Sequence, residues 1–483
     1  MSAAIVAACS SQSVPSTAAP AATGNAPPTA ASTGGNSATV PANPAAQTRE
    51  QLKPTLVPNQ VEVAAVPTPV MKMQGELTLW HDWGNVQGGG LSMLDQVNEF
   101  MKLYPGVKIT NVYNATQDKI LAAIASGNVP DLLKLQEVQL PTLGQRGALT
   151  DLDSYVTRDK WDMKQYFDFA IAQCTWDGKL YGMPHHTGVA SLHMDQDVFK
   201  DAGLDPEKPP TDWSDLLGMG TKMTKQNGGR YVRFGYVPSW TSAPWPTLLI
   251  QANGGTLLSD DGKKSTLVSD QANEALQWAL DATDKIAGGY SNTVAFSQAN
   301  QTAQGSGPYW MFPQNRMGMV LFGNWIWEAI SIVNPKLNVK SLLFPGGPSA
   351  KGTRFGFGSG SMVTIPKGAK SPDLAWEWLK FLGSDEGGYL TQARTSDVSA
   401  NIKAANDPRI VDAHLGRKQI LPLYKDTHWQ VYVKSPISIQ FNDEMNRLSD
   451  RVLLKQMTVK QALTESDKAI QKALDDFWAT QKS

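Results

Sequence analysis

Four short stretches carry side chains suited to non-covalent recognition of a hydroxyl-rich ligand. Trp80-His81-Asp82-Trp83-Gly84-Asn85 sets an imidazole and a carboxylate, both directional hydrogen-bonding groups, between two indoles. Gln136-Glu137 adds an amide and a second carboxylate. Trp240 and Trp245 bracket Thr241-Ser242-Ala243-Pro244, a loop by its Ser and Pro content. An indole on such a loop has no core to fill by default and can offer its apolar face to a ligand while its edge meets water. In His185-His186-Thr187, neighbours on an extended chain point to opposite faces. The two imidazoles are therefore expected to diverge and to hold no metal ion.

Reactive chemistry has weaker support. There is no Walker A loop, nucleophile elbow, His-Glu-x-x-His pair or EF-hand loop, and no cofactor is expected. Glycoside hydrolysis needs two placed carboxylates, which Asp82 and Glu137 could supply, so an exported carbohydrate-degrading lipoprotein is one alternative. A binding protein for a phosphorylated or amino-acid-like solute is the other. It would need cations in the cleft, and the candidate residues include no Arg or Lys, leaving only Arg354 or Arg394 to hold an anion.

The elements that would position these residues are legible in the apolar periodicity. Glu76-Leu77-Thr78-Leu79-Trp80 predicts a strand, and Leu91, Leu94, Val97, Met101 and Tyr104 mark one face of a helix that stops at Pro105-Gly106. Val107 to Val112 predicts a second strand, a helix near residues 118–125 ends at Gly127, and Asp131-Leu132-Leu133 begins a third strand. Strand, helix, strand at this spacing implies parallel pairing with a right-handed crossover. Ligands of such sheets bind beyond the carboxyl ends of the strands, here at His81, Asp82, Trp83, Asn85, Gln136 and Glu137, with Trp80 left to packing. Ser371-Pro372-Asp373 starts a further helix with a capping hydroxyl, and Val459, Leu463, Ile470, Leu474 and Phe477 trace another. Phe355-Gly356-Phe357-Gly358-Ser359-Gly360 lacks the spacing of a dinucleotide loop. Glycine at alternate strand positions leaves one face bare, so Gly358 and Ser359 are expected in a ligand-facing wall.

A net charge of −1 gives no reason to expect nucleic acid as a partner. No run approaches the roughly 20 apolar residues of a spanning helix. From Ser10 to Thr48 not one side chain is charged or aromatic, and Ala, Pro, Ser, Thr and Gly dominate as far as residue 74. Such a segment cannot offset its chain entropy by burial and is expected to be a disordered tether spanning on the order of 40–50 Å. Val6-Ala7-Ala8-Cys9 resembles the end of a lipoprotein signal, with residues 1–9 a truncated version of it and Cys9 the lipidated residue. Cys174 is then the one remaining cysteine and is expected to be buried.

Leu77-Thr78-Leu79-Trp80-His81, Tyr104-Pro105-Gly106-Val107-Lys108-Ile109 and Gly127-Asn128-Val129-Pro130-Asp131-Leu132 resemble the first lobe of the extracellular solute-binding proteins of ABC importers. The likeness continues in order through Gly178-Lys179-Leu180-Tyr181-Gly182-Met183-Pro184, Gly323-Asn324-Trp325, Ile365-Pro366-Lys367-Gly368 and Ala375-Trp376-Glu377-Trp378. It is greatest to the maltose-binding-protein branch, in lipoprotein form. The resemblance implies two doubly wound α/β lobes joined by a hinge, a type II periplasmic-binding-protein fold. Lobe I would comprise residues 75–185 plus about 345–395, and lobe II residues 188–340 plus about 400–483. The first crossover would lie near residues 184–189, with a return at 344–360. It further implies that His186 and Thr187 bond at the hinge, that Trp325, Trp240 and Trp245 face the ligand, and that Trp429 is a further stacking position. The implied ligand is a carbohydrate and the implied partners are permease transmembrane subunits. A monomer is implied, held to the outer face of the membrane only by its N-terminal lipid.

Overall fold

A computed structural model describes residues 73–85, 88–302, 305, 307–425 and 433–480. Cys9, the tether and Trp429 lie outside the described residues. Strand β1 (Gln74–Trp80) buries Leu77 and Leu79 on one face. Helix α1 (Gly88–Leu103) buries Met93, Val97 and Phe100 along one stripe and delivers the chain to β2 (Gly106–Val112), parallel to β1. Helix α2 (Gln117–Ser126) is capped by the Thr116 side chain and ended by Gly127 at φ 72°. Strand β3 (Leu132–Gln136) then pairs parallel with β1 on its other side, and helix α3 (Leu140–Gln145) follows.

The next strand, β4 (Gly182–Asp195), is 14 residues long and serves two bodies. Met183 packs in a core with Leu77, Phe100, Leu132 and Trp376, whereas Val189, Leu192 and Met194 pack in another with Trp213, Leu321 and Leu448. Around the far half of β4 stand helices α4 (Trp245–Ala252) and α5 (Asp270–Ala287), strand β5 (Met319–Gly323), helix α6 (Ile326–Val333) and strand β6 (Val339–Leu342). Both β5 and β6 run antiparallel to β4.

Strand β7 (Phe357–Thr364) carries the chain back. Phe357 lies in the second core and Met362 in the first, so the return happens inside this strand and Phe344 stays with the second lobe. Helix α7 (Pro372–Gly383) follows. The Ser371 hydroxyl makes no cap bond to it. The Asp131 carboxylate instead fixes the chain just ahead of the helix, accepting from the Lys370 and Ser371 N–H groups at 3.1 Å each. Strand β8 (Val398–Ser399) pairs with β4 at Thr187 and His186, and helices α8 (Ser438–Leu453) and α9 (Val459–Thr480) complete the second lobe.

Among the described residues the result is a mixed sheet in the order β6-β4-β7-β3-β1-β2, with β5 and β8 also on β4. The two α/β lobes are thus joined by strands that belong to both. Cys174 is free and buried in the first core.

Candidate ligand-binding site

Because β1 and β3 are parallel neighbours, the residues after β1 and at the end of β3 arrive side by side at the lobe boundary. Strand β7 runs antiparallel to β3 and places Ser361 opposite Gln136. The same residue faces His186 of β4 on its other side. A bulge interrupts that second ladder. Ser361 pairs with His186 but Met362 pairs with Pro184, so His185 is the extra residue. The strict alternation expected from the sequence fails here, and the two histidines do not diverge. Their rings are 5.4 Å apart, and both approach Trp83, at 5.6 Å for His185 and 5.3 Å in a stacked arrangement for His186.

Lys134 is the residue that sequence reasoning missed. It shares a face of β3 with Leu132 and Gln136, and its side chain is 0% exposed. Its ammonium donates to Asp82 Oδ1 at 2.7 Å and stands 4.1 Å from the Trp83 ring centroid. Gln136 Nε2 donates to the other oxygen of Asp82 at 3.2 Å. Burial alone would raise the Asp82 carboxyl. The charge and hydrogen bond of Lys134, with help from Gln136, outweigh it and hold Asp82 below its usual range. The absence of a cation from the candidate set is therefore corrected: a cation is present, but a carboxylate already matches it. Arg394 is bound to Asp95 at 2.8 Å, and Arg354 donates to the Leu343 and Pro210 carbonyls, so neither holds a ligand anion here. A lone lysine in the run Leu132-Leu133-Lys134-Leu135 was the available signal, since charged side chains are rarely buried without a partner.

Around this pair the polar groups are deeply enclosed. The Nε2 of His185 and the Oε1 of Glu137 are buried without a hydrogen-bond partner. Desolvation, followed by the charge on Lys134, lowers His81 to about 4. Desolvation pushes Glu137 up to about 7, against the Gly360 N–H that its Oε2 accepts at 3.1 Å. His186 bonds Ser361 Oγ at 2.7 Å and lies 3.8 Å from the Asp397 carboxylate. Asn85 sits half-buried in the turn after Trp83.

The second lobe contributes Trp325 at the start of α6. A Cβ on Gly188 would lie 2.9 Å from Asn324 Oδ1, 3.0 Å from Ser359 Oγ and 3.1 Å from the Trp325 ring, so a larger residue at this hinge position would displace the side chains that stand over it. Gly358 pairs with Val189 in the same wall. Asn324 clamps the hinge, its Oδ1 accepting from Val189 N and its Nδ2 donating to the Ser396 carbonyl, both at 2.8 Å. The Thr187 hydroxyl is committed to the Val398 carbonyl and the Tyr424 hydroxyl.

One expected ligand aromatic is placed elsewhere. Trp245 is not on a loop but opens α4. It is 3% exposed in the second core, and its Nε1 donates to Ser449 Oγ at 2.6 Å. Pro246 in the first helical turn explains the element, since proline loses no hydrogen bond there. Trp240 is half-buried in the second lobe, against Phe234 and Phe296.

Comparison with known proteins gives this geometry a family. The model for bacterial extracellular solute-binding proteins matches residues 83–389. An arabinooligosaccharide-binding protein of Bacillus subtilis is 27% identical over 315 residues, covering 61% of this chain. A maltodextrin-binding protein of the same organism is 26% identical over 290 residues, covering 58% of this chain. The chain spans 66% and 62% of the length of these two relatives. A maltooligosaccharide ABC transporter solute-binding lipoprotein of Streptococcus pneumoniae is 23% identical, over 68% of this chain and 73% of its own length. Among solved structures, CpMnBP1 with mannobiose bound superposes with a TM-score of 0.70 at 25% identity, over 82% of this chain and 100% of that one. The maltose/maltodextrin-binding domain MalE of Bdellovibrio bacteriovorus, bound to maltotriose, gives 0.67 at 18%, over 83% and 100%. The two lobes joined by shared strands are thus those of a type II periplasmic-binding-protein fold, and the chain belongs to the bacterial extracellular solute-binding proteins.

Proposed function

We propose that this protein captures a carbohydrate, a mono- or oligosaccharide, between its lobes by hinge closure and delivers it to the transmembrane subunits of an ABC permease. One observation carries the reading: Trp83 of the first lobe lies against the His185 and His186 rings, beside buried polar atoms that the protein leaves unpaired, and Trp325 of the second lobe stands over the hinge at Gly188. An unmade buried hydrogen bond costs about 1–3 kcal/mol, and ligand hydroxyls are the partners that would relieve His185 and Glu137. Asp82, kept ionised by Lys134, is a strong acceptor for such hydroxyls. The sugar names carried by the relatives support the same class.

The carboxylates favour binding over hydrolysis. Asp82 is committed to Lys134 and Gln136, and one oxygen of Glu137 to Gly360. A phosphorylated ligand would meet a lysine whose charge Asp82 already balances. The protein works outside the cytoplasm as a monomer, held at the membrane by lipid on Cys9, in line with its family and its pneumococcal lipoprotein relative. No helix among the described residues is long and apolar enough to cross a membrane.

Thermal shift against mannobiose, maltotriose and arabinooligosaccharides, with glycerol 3-phosphate and amino acids as controls, tests the assignment. Stabilisation by a sugar is expected. Stabilisation by the controls alone would overturn it, and release of reducing ends would convert the protein into an enzyme. With the sugar so found, Trp83→Ala and Trp325→Ala are each expected to weaken binding about tenfold, roughly the worth of one aromatic contact, while leaving the melting curve of the free protein cooperative. Calorimetric titration reads the effect, and unchanged affinity removes that indole from the site.

A further inference from the structure

The lobes touch at a point that none of the ligand-site residues explains. Glu328 of α6 belongs to the second lobe, where its neighbours Ile326, Trp327 and Ile330 are core residues. Its carboxyl reaches across to the first turn of α1 in the first lobe and lies beside Gly88. A Cβ on Gly88 would lie 3.0 Å from Glu328 Oε1 and 2.5 Å from the Arg394 carbonyl, so glycine is what lets the helix end come this close. Another part of the boundary is held by Thr142 of α3, which donates to the Pro436 carbonyl at 3.0 Å, by Ser438 of α8, which donates to the Val138 carbonyl at 2.6 Å, and by the Lys434 ammonium, which donates to the Ala172 carbonyl.

We propose that Glu328 is a proton-operated latch between the lobes: protonated, it rests on the α1 N-terminus and holds the cleft shut, and ionised, it lets the cleft open. The groups facing it are Asp397 and Tyr309, and Asp397 is faced in turn by His186, Lys134 and Arg417. A helix N-terminus favours an anion by about 0.3–1 kcal/mol and up to about 2 when partly buried. Here burial, and then the charge on Asp397, win against it and push Glu328 up to about 8. In an open cleft water reaches the carboxyl and its value returns toward the ordinary one, near 4.3. The closed form therefore binds the extra proton. Its advantage is full below the open-state value and is lost as pH rises through about 8.

The latch rests on the hinge motion proposed above, but its test uses no ligand, so failure to bind sugar leaves it standing. Dyes placed by Lys102→Cys on the first lobe and Lys222→Cys on the second, in the full chain carrying Cys9→Ser, report the separation of the lobes by energy transfer. Between pH 6 and pH 9 the closed-to-open ratio is expected to fall at least about tenfold. Glu328→Gln, shaped like the protonated acid, should stay closed at both values. Gly88→Ala should stay open at both. A pH response in Glu328→Gln equal to that of the unsubstituted chain, or no response in either, overturns the proposal.

Discussion

Lys134→Met is expected to lower the unfolding free energy by about 2 kcal/mol at pH 7 and to abolish tight ligand binding. Breaking a fully buried ion pair by removing one partner costs about 3–5 kcal/mol, because the other charge stays desolvated. Here the lysine is fully buried but the Asp82 side chain is 44% exposed toward the cleft, so water recovers part of the loss. Lys134 and Gln136 hold Asp82 below its usual value, so the stability it contributes is present above the ordinary carboxylate range and lost as pH falls through the depressed one. The deficit of the variant should therefore shrink on acidification. Urea unfolding at pH 7 and pH 3.5 measures both effects. Asp82→Asn added to Lys134→Met should restore most of the stability but not the affinity. If the single variant is as stable as the parent at pH 7, the pair is not what organises this site.

Arg394→Met should cost more, about 3–5 kcal/mol, since both members of its pair with Asp95 are buried, with side chains 3% and 8% exposed. Asp95 lies on α1 and Arg394 in the segment leading to β8, so the pair pins the helix that begins at Gly88 to the hinge. The double variant Asp95→Asn, Arg394→Met is expected to recover at least half of the loss in urea unfolding. A single variant within about 1 kcal/mol of the parent would show that the guanidinium is dispensable.

What the sequence revealed was what adjacent residues decide among themselves. The alternation of Leu77 and Leu79, the buried Leu91, Leu94 and Val97 of the expected stripe, and the stop at Gly127 all depend on neighbours within one element. From those strands the location of His81, Asp82, Trp83, Gln136 and Glu137 at one boundary followed. What escaped depends on distant partners. The bulge at His185 exists only because β7 pairs with β4, and it turned an expected divergence of two imidazoles into a shared surface with Trp83. Lys134 hid in an apolar strand because the Asp82 that makes it tolerable is 52 residues away. Glu328, Asp397 and Arg417 carry no local mark at all. Trp245 was a different kind of miss: Pro246 at a first turn and the apolar run behind it were signals of a helix that the loop-like composition before them obscured.

The strand that returns from the second lobe also sets the order in which the protein can be made. Gly360, whose amide Glu137 accepts, stands 223 residues further along the chain, and β3 has no partner on that side until β7 arrives. The first lobe's sheet and core stay incomplete while the whole intervening body is still being synthesised, since Met362, Trp376 and Trp378 all come after it. Contacts of such long range form late and slowly. The first lobe of a nascent chain therefore cannot lock until the strand ending at Thr364 and the helix ending at Gly383 have followed most of the second lobe out of the ribosome.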